Sequence, residues 1–170
     1  MATLYLMLGY PGAGKTTTSK TIHELTGAVH LWADQERHKR FKNPTYSHEE
    51  NQQLYEQMNQ EAHDLLARGQ SVIFDTNFNY YKDREHLRML AAQAGAMTKL
   101  VWVTVPKGLA HERATADTHK QDNGFSANMS DQDFKRLTDN LEPPRPDELC
   151  IEVDGTKVTP DYIREKLGLG

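Results

Sequence analysis

One stretch constrains this chain more than any other. Residues 3–27 read TLYLML, then GYPGAGKT, then TTSKTIHELTG: an apolar run, a glycine-rich turn and a polar segment of helical character. Gly9, Gly14, Lys15 and Thr16 satisfy G-x-x-x-x-G-K-[ST], a pattern whose glycines let backbone N–H groups wrap a phosphate. The order strand, tight turn, helix is the context that this chemistry needs, because the helix start adds unpaired N–H groups and the positive end of its dipole. The chain therefore has to begin with a buried strand that delivers its C-terminal end to a phosphate.

The remainder repeats that alternation. Short apolar or β-branched runs at Leu4–Leu8, Ala28–Trp32, Ser71–Asp75, Leu100–Val105 and Leu149–Val153 read as strands buried on both faces. Between them lie helical stripes. Ser47-His48-Glu49-Glu50 reads as a capping box opening a helix with Leu54, Met58, Ala62, Leu65 and Leu66 on one face, stopped by Gly69. Leu87, Leu90, Ala91 and Ala94 form a second stripe before Gly95. Ser130–Asp133 opens a third with Phe134, Leu137 and Leu141, and Thr159-Pro160 opens the last, closed by Gly168. The expectation is an α/β fold, a doubly wound five-stranded parallel sheet with helices on both faces and a short lid, in one domain spanning 1–170. Right-handed crossovers then place Gly9–Thr16, Asp34 and Asp75–Asn77 along one sheet edge.

With 170 residues and a formal charge of −4, the chain has room for one core and is not a nucleic-acid-coating surface. No apolar run is long enough to span a bilayer and no signal peptide is read, so a cytoplasmic setting is expected. The lone cysteine, Cys150, lies in LCIEV and reads as a buried filler in a reducing compartment. The eight histidines show no metal-binding spacing.

The expected ligand of the glycine-rich loop is ATP with Mg²⁺. Gly9, Pro11, Gly12, Ala13, Gly14, Lys15, Thr16 and Thr17 are the candidate nucleotide contacts, with Lys15 reaching the β- and γ-phosphates and the Thr16 hydroxyl on the metal. The guanine-reading N-K-x-D and the switch D-x-x-G are both absent, and Asp75-Thr76 has no adjacent glutamate to polarise water. Hydrolysis is thus disfavoured as the designed reaction. Asp34 follows the second strand, where a carboxylate would face the γ-phosphate and take a proton from an acceptor hydroxyl; its other reading is a helix N-cap. Arg37, one helical turn on, suits an anionic group of the acceptor.

GYPGAGKTT, Asp34-Gln35-Glu36-Arg37 and VIFDTNFN at Val72–Asn79 together resemble the kinase domain of phage polynucleotide kinase and the wider group of small P-loop kinases that includes zeta-toxin-like and chloramphenicol-phosphorylating enzymes. That resemblance implies Asp34 as general base, Arg37 on the acceptor, Asp75 near the metal or orienting Arg37, and Asn77 positioning substrate or the following loop. It implies a lid over roughly 114–129 with Arg113 stabilising the transferred phosphate. Asp117 stands where those kinases carry a second arginine; His119 and Lys120 are candidate substitutes. Glu142–Pro146 resembles their E-P-P element, with Arg145 placed to stack on the base.

The basic run Arg37–Lys42, with Tyr46, Tyr55, Phe78, Tyr80 and Tyr81 nearby, suits an anionic, ring-bearing acceptor or simply a solvated helix face. A polynucleotide or nucleotide hydroxyl is the first expectation for the acceptor. A sugar, nucleotide sugar or antibiotic-like molecule is the second, and a non-catalytic ATP-dependent switch the alternative of another class.

Overall fold

The computed structural model describes residues 1–77, 80–116 and 129–170. Five strands, β1 (Thr3–Leu8), β2 (Val29–Trp32), β3 (Val72–Asp75), β4 (Met97–Thr104) and β5 (Cys150–Asp154), form one parallel sheet in the order β2-β3-β1-β4-β5. Among the described residues seven helices connect or follow them: α1 (Lys15–Thr26), α2 (Ala33–Arg40), α3 (His48–Ala67), α4 (Tyr81–Gln93), α5 (Lys107–Thr115), α6 (Asp131–Asp139) and α7 (Pro160–Leu167).

The period of two along β1 builds both halves of the core. Leu4, Leu6 and Leu8 pack with Leu54, Met58, Ala62 and Leu66 of α3 and Leu87 and Ala91 of α4. Tyr5 and Met7 face the other way, onto Ile22 of α1 and Ile163 and Leu167 of α7. All six residues of β1 are buried, as the central strand of a sheet covered twice must be. Each fully buried leucine contributes about 1.5–3 kcal/mol, so β1 alone anchors much of the fold.

The helix boundaries follow their capping chemistry. Ser47 Oγ accepts from Glu50 N–H, Ser130 Oγ from Asp133 N–H, and Thr159 Oγ1 from Tyr162 N–H. Gly168 closes α7 in the left-handed region. The capping box differs from expectation at its return arm. Glu50 reaches past Ser47 to accept from the backbone N–H groups of Thr45 (2.8 Å) and Tyr46 (2.9 Å), because Arg37 draws it toward α2.

The last strand departs from the expected pattern. β5 is a sheet edge with a neighbouring strand on one side alone, and Val153 is its only buried residue. Cys150 is exposed rather than a buried filler, and Leu149 is 94% exposed. β2 is the opposite edge and is likewise only half buried.

Candidate active site

The strand C-terminal ends gather the site on one edge. β1 runs into the glycine loop, where Ala13 N–H bonds the Tyr10 carbonyl at 3.0 Å and Gly14 takes φ 104° immediately before α1. No side chain caps α1, so the loop turns its first-turn N–H groups toward the position of a bound anion. Lys15 is buried and its ammonium donates to the carbonyls of Gly9 (3.0 Å) and Tyr10 (3.3 Å). Burial pushes the Lys15 pKa down, against the opposing charges of Asp75 and Asp34. Pro11 and Ala13 are buried loop supports, whereas Thr17 is exposed.

Asp75 ends β3 and is buried. Its Oδ2 accepts from Thr16 Oγ1 at 3.2 Å and meets His30 Nε2 at 2.9 Å. Of the two roles considered for Asp75, orienting Arg37 is not what this geometry provides. A hydroxyl beside a buried carboxylate is a fitting pair for Mg²⁺, a hard cation that takes few protein oxygens and completes its shell with phosphate and water. His30 had no signature in the sequence. It sits on edge strand β2, paired in register with Ile73, and stacks parallel to Trp32 with ring centroids 5.8 Å apart.

Asp34 occupies the first turn of α2, and Trp32 rather than Asp34 is the N-cap residue. Burial and the neighbouring Asp75 charge push the Asp34 pKa up, while Lys15, Arg37 and His38 pull it down; the net direction is upward. A carboxylate held above its ordinary range binds a proton more readily, which suits a general base.

Arg37 is buried and committed. Its Nη1 donates to Glu50 at 2.5 Å, its Nη2 to Asn51 Oδ1 at 2.6 Å, and its guanidinium lies 4.4 Å from the Tyr46 ring. Nε alone is buried with no partner. Tyr46 is held at φ 57°, a left-handed conformation rare outside glycine, with its ring largely in solvent. Arg40 of the basic run is committed in the same way. Arg40 pairs with Glu36 and Glu61, and Lys39 approaches Glu36 at 3.7 Å. Arg37 and Arg40 thus hold α2 onto α3, whereas His38, Lys39 and Lys42 of the run are exposed.

Beside Arg37 lies a cleft of about 180 Å³, walled by Asn51 and Tyr55 of α3, Asn77 after β3, Tyr80 before α4, and Leu137 and Asn140 at the end of α6. Burial pushes the Tyr55 hydroxyl up to about 12, and the phenol senses the charges of both Arg37 and Asp34. The cleft lies against α2, the helix that carries the candidate base, because Asn51 of its wall accepts from Arg37, one turn after Asp34. A larger depression of about 270 Å³ is lined only by α3 and α4 residues and includes nothing from the loop-bearing edge.

Among the described residues Arg113 on α5 is half-buried and makes no hydrogen bond or ion pair. Asp117, His119, Lys120, Phe78 and most of the expected lid lie outside the described residues. Arg145 stacks on the Tyr81 ring at 3.7 Å, and Glu148 accepts its backbone N–H. Gly155, after β5, touches the phosphate loop so closely that a Cβ there would lie 2.0 Å from the Ala13 carbonyl oxygen. Neither this contact nor the Glu50 bond to Arg37 was visible in the sequence, although Asp154-Gly155 after a strand is a turn signal.

The profile of the AAA domain family AAA_33 matches residues 4–144, from β1 through the E-P-P element. The chain belongs to this family. No curated protein matches it in sequence. Among solved structures it is similar to a candidate kinase from Chloroflexus aurantiacus, with 19% identity over 98% of this chain and 97% of that one and a TM-score of 0.76. It is also similar to a sugar kinase from Janibacter (18%, 98% and 92%, TM-score 0.70) and to the Mycobacterium tuberculosis APS kinase solved with AMPPNP and APS (16%, 99% and 96%, TM-score 0.65). At such identities the likeness establishes the fold alone, the five-stranded parallel α/β architecture expected from the strand–helix alternation.

Proposed function

We propose that this AAA-domain protein is an ATP-dependent phosphotransferase that moves the γ-phosphate to an acceptor hydroxyl. The observation that carries the reading is the position of Asp34, a carboxylate in the first turn of α2 directly after β2, on the sheet edge that bears the phosphate loop, with its pKa raised by burial. Lys15, the loop N–H groups and the start of α1 hold the donor. Thr16 and Asp75 hold Mg²⁺, which when bound neutralises phosphate charge. Asp34 takes the hydroxyl proton and fixes its line of approach. Arg113 supplies a cation toward the transferred group, and Arg37, through Glu50 and Asn51, shapes the acceptor side. The kinase names of structures with this fold agree with the reading.

Asn at position 34 keeps the shape and removes the base. D34N is expected to lower acceptor-dependent turnover by at least about 100-fold, the range of general-base contributions, while ATP affinity stays within about twofold. Radiolabelled transfer and nucleotide titration measure the two. Transfer at the wild-type rate in D34N would sink the assignment. A nucleotide-dependent switch without catalysis predicts no acceptor-dependent turnover in either protein.

A further inference from the structure

Resting on the phosphotransferase reading, we propose that the 180 Å³ cleft bordered by Asn51, which binds Arg37 one turn after Asp34, is the acceptor site and that it takes a polyhydroxylated molecule of monosaccharide size. Three features of the wall carry this. First, its polar groups are mostly amides. Asn51, Asn77 and Asn140 carry amides, which like sugar hydroxyls both donate and accept, and the Asn51 oxygen is already fixed by Arg37 so that its NH₂ group is held in one orientation. Second, Tyr55, Tyr80 and Leu137 give flat and apolar surfaces for the C–H faces of such a ring. Third, the space is small. At about 30 Å³ per water it corresponds to about six waters, below the range of about 300–1,000 Å³ typical of drug-sized ligands.

The same walls argue against a nucleotide or a polynucleotide end. Such an acceptor needs free cations for its phosphates. Arg37 is neutralised by Glu50, and Arg40 by Glu36 and Glu61. Neither of these lines the cleft; among the described residues its one cation is Arg136, which is 61% exposed, points largely to solvent and lies 3.5 Å from Asp133. Meanwhile the buried Nε of Arg37 has no partner, next to the Asn51 that borders the cleft. A buried donor left unsatisfied is costly, and a ligand oxygen or a water would relieve it.

Saturation-transfer NMR on the full chain, with and without AMPPNP and Mg²⁺, tests the acceptor class. The probes are D-glucose, D-ribose, D-gluconate, adenosine 3′-monophosphate and a 5′-hydroxyl trinucleotide. At least one of the three monosaccharide probes is expected to bind, with the nucleotides silent. Leu137→Trp fills the cleft and should weaken that binding at least tenfold, and Asn140→Ala at least threefold, both with AMPPNP affinity unchanged. Signals from the nucleotide probes alone, from no probe, or unaffected by either substitution would overturn the proposal. Transfer from labelled ATP to the bound monosaccharide separates the two readings. Cleft-dependent binding without transfer keeps the acceptor class and removes the phosphotransferase.

Discussion

Replacing Glu148 with alanine tests the ionic clamp that holds the E-P-P loop against α4. The Glu148 carboxylate accepts from Arg84 Nε at 2.8 Å and Nη2 at 2.7 Å, from Arg88 Nη1 at 2.8 Å and from Arg145 N–H at 2.9 Å. Its side chain is 1% exposed and that of Arg84 is 3%. Removing the carboxylate takes the ion pair and two hydrogen bonds from the buried Arg84 guanidinium, while the carbonyls of Glu142 and Pro143 continue to accept from it. Breaking a buried pair from one side costs about 3–5 kcal/mol. In a chain of this size each kcal/mol lowers Tm by about 2–4 °C, so E148A should melt roughly 6–20 °C below wild type. Urea unfolding of E148A, R84M and the double variant R84M/E148M checks the coupling. The double variant should recover most of the loss, because no charge is then stranded.

The pH dependence carries its own sign. Burial pushes Glu148 up, but Arg84, the Arg145 N–H and Arg88 outweigh it and hold the pKa at about 2 instead of 4.5. A carboxylate depressed in the fold stabilises above its unfolded pKa and loses that contribution as pH falls. The gap between wild type and E148A should therefore narrow between pH 4.5 and 2. A cost under about 1 kcal/mol at neutral pH, or a double variant as unstable as the sum of the single ones, would refute the clamp. The clamp also reaches the cleft, since Glu142 accepts the Tyr81 N–H at 2.5 Å, next to Tyr80 in the cleft wall.

Other expectations follow from the same geometry. Asp34 is pushed up by burial and by Asp75, so its charged form disfavours the fold once pH exceeds its unfolded pKa; D34N should melt above wild type at pH 7, with the gap closing toward pH 4 in thermal scans. In wild type the acid limb of kcat/KM should lie above the ordinary aspartate range. His30→Leu removes the partner of Asp75 and should raise the Mg²⁺ concentration for half-maximal nucleotide binding by about tenfold, read by titrating Mg²⁺ against a fluorescent ATP analogue. Gly155→Ala puts a Cβ 2.0 Å from the Ala13 carbonyl and should cost about 1–3 kcal/mol of stability and at least tenfold in ATP affinity, measured by melting and calorimetry.

Much of this molecule is written locally. GYPGAGKT specifies its own strand, turn and helix start, because glycine freedom and backbone N–H geometry act within a dozen residues. The period of two in Leu4–Leu8 and the 3.6-residue stripe of Leu54, Met58, Ala62 and Leu66 state which faces are buried. Asp34 and Asp75 are legible for the same reason: each directly follows or ends a strand, and parallel crossovers bring strand ends to one edge. Partnership is what the tertiary structure decided. Arg37 looked free for an acceptor until Glu50 and Asn51, thirteen and fourteen residues on, claimed it. The two arginines of the basic run, indistinguishable from surface charges in the sequence, form an interhelical seam in space. Cys150 is apolar in context yet exposed, because only strand order tells an edge from a centre. His30 reaches Asp75, and Gly155 reaches Ala13, across 45 and 142 residues respectively, and the cleft is assembled from α3, α6 and the segment between β3 and α4. Local periodicity carries no information on such pairs, since they form only after the sheet has been ordered and the helices laid across it.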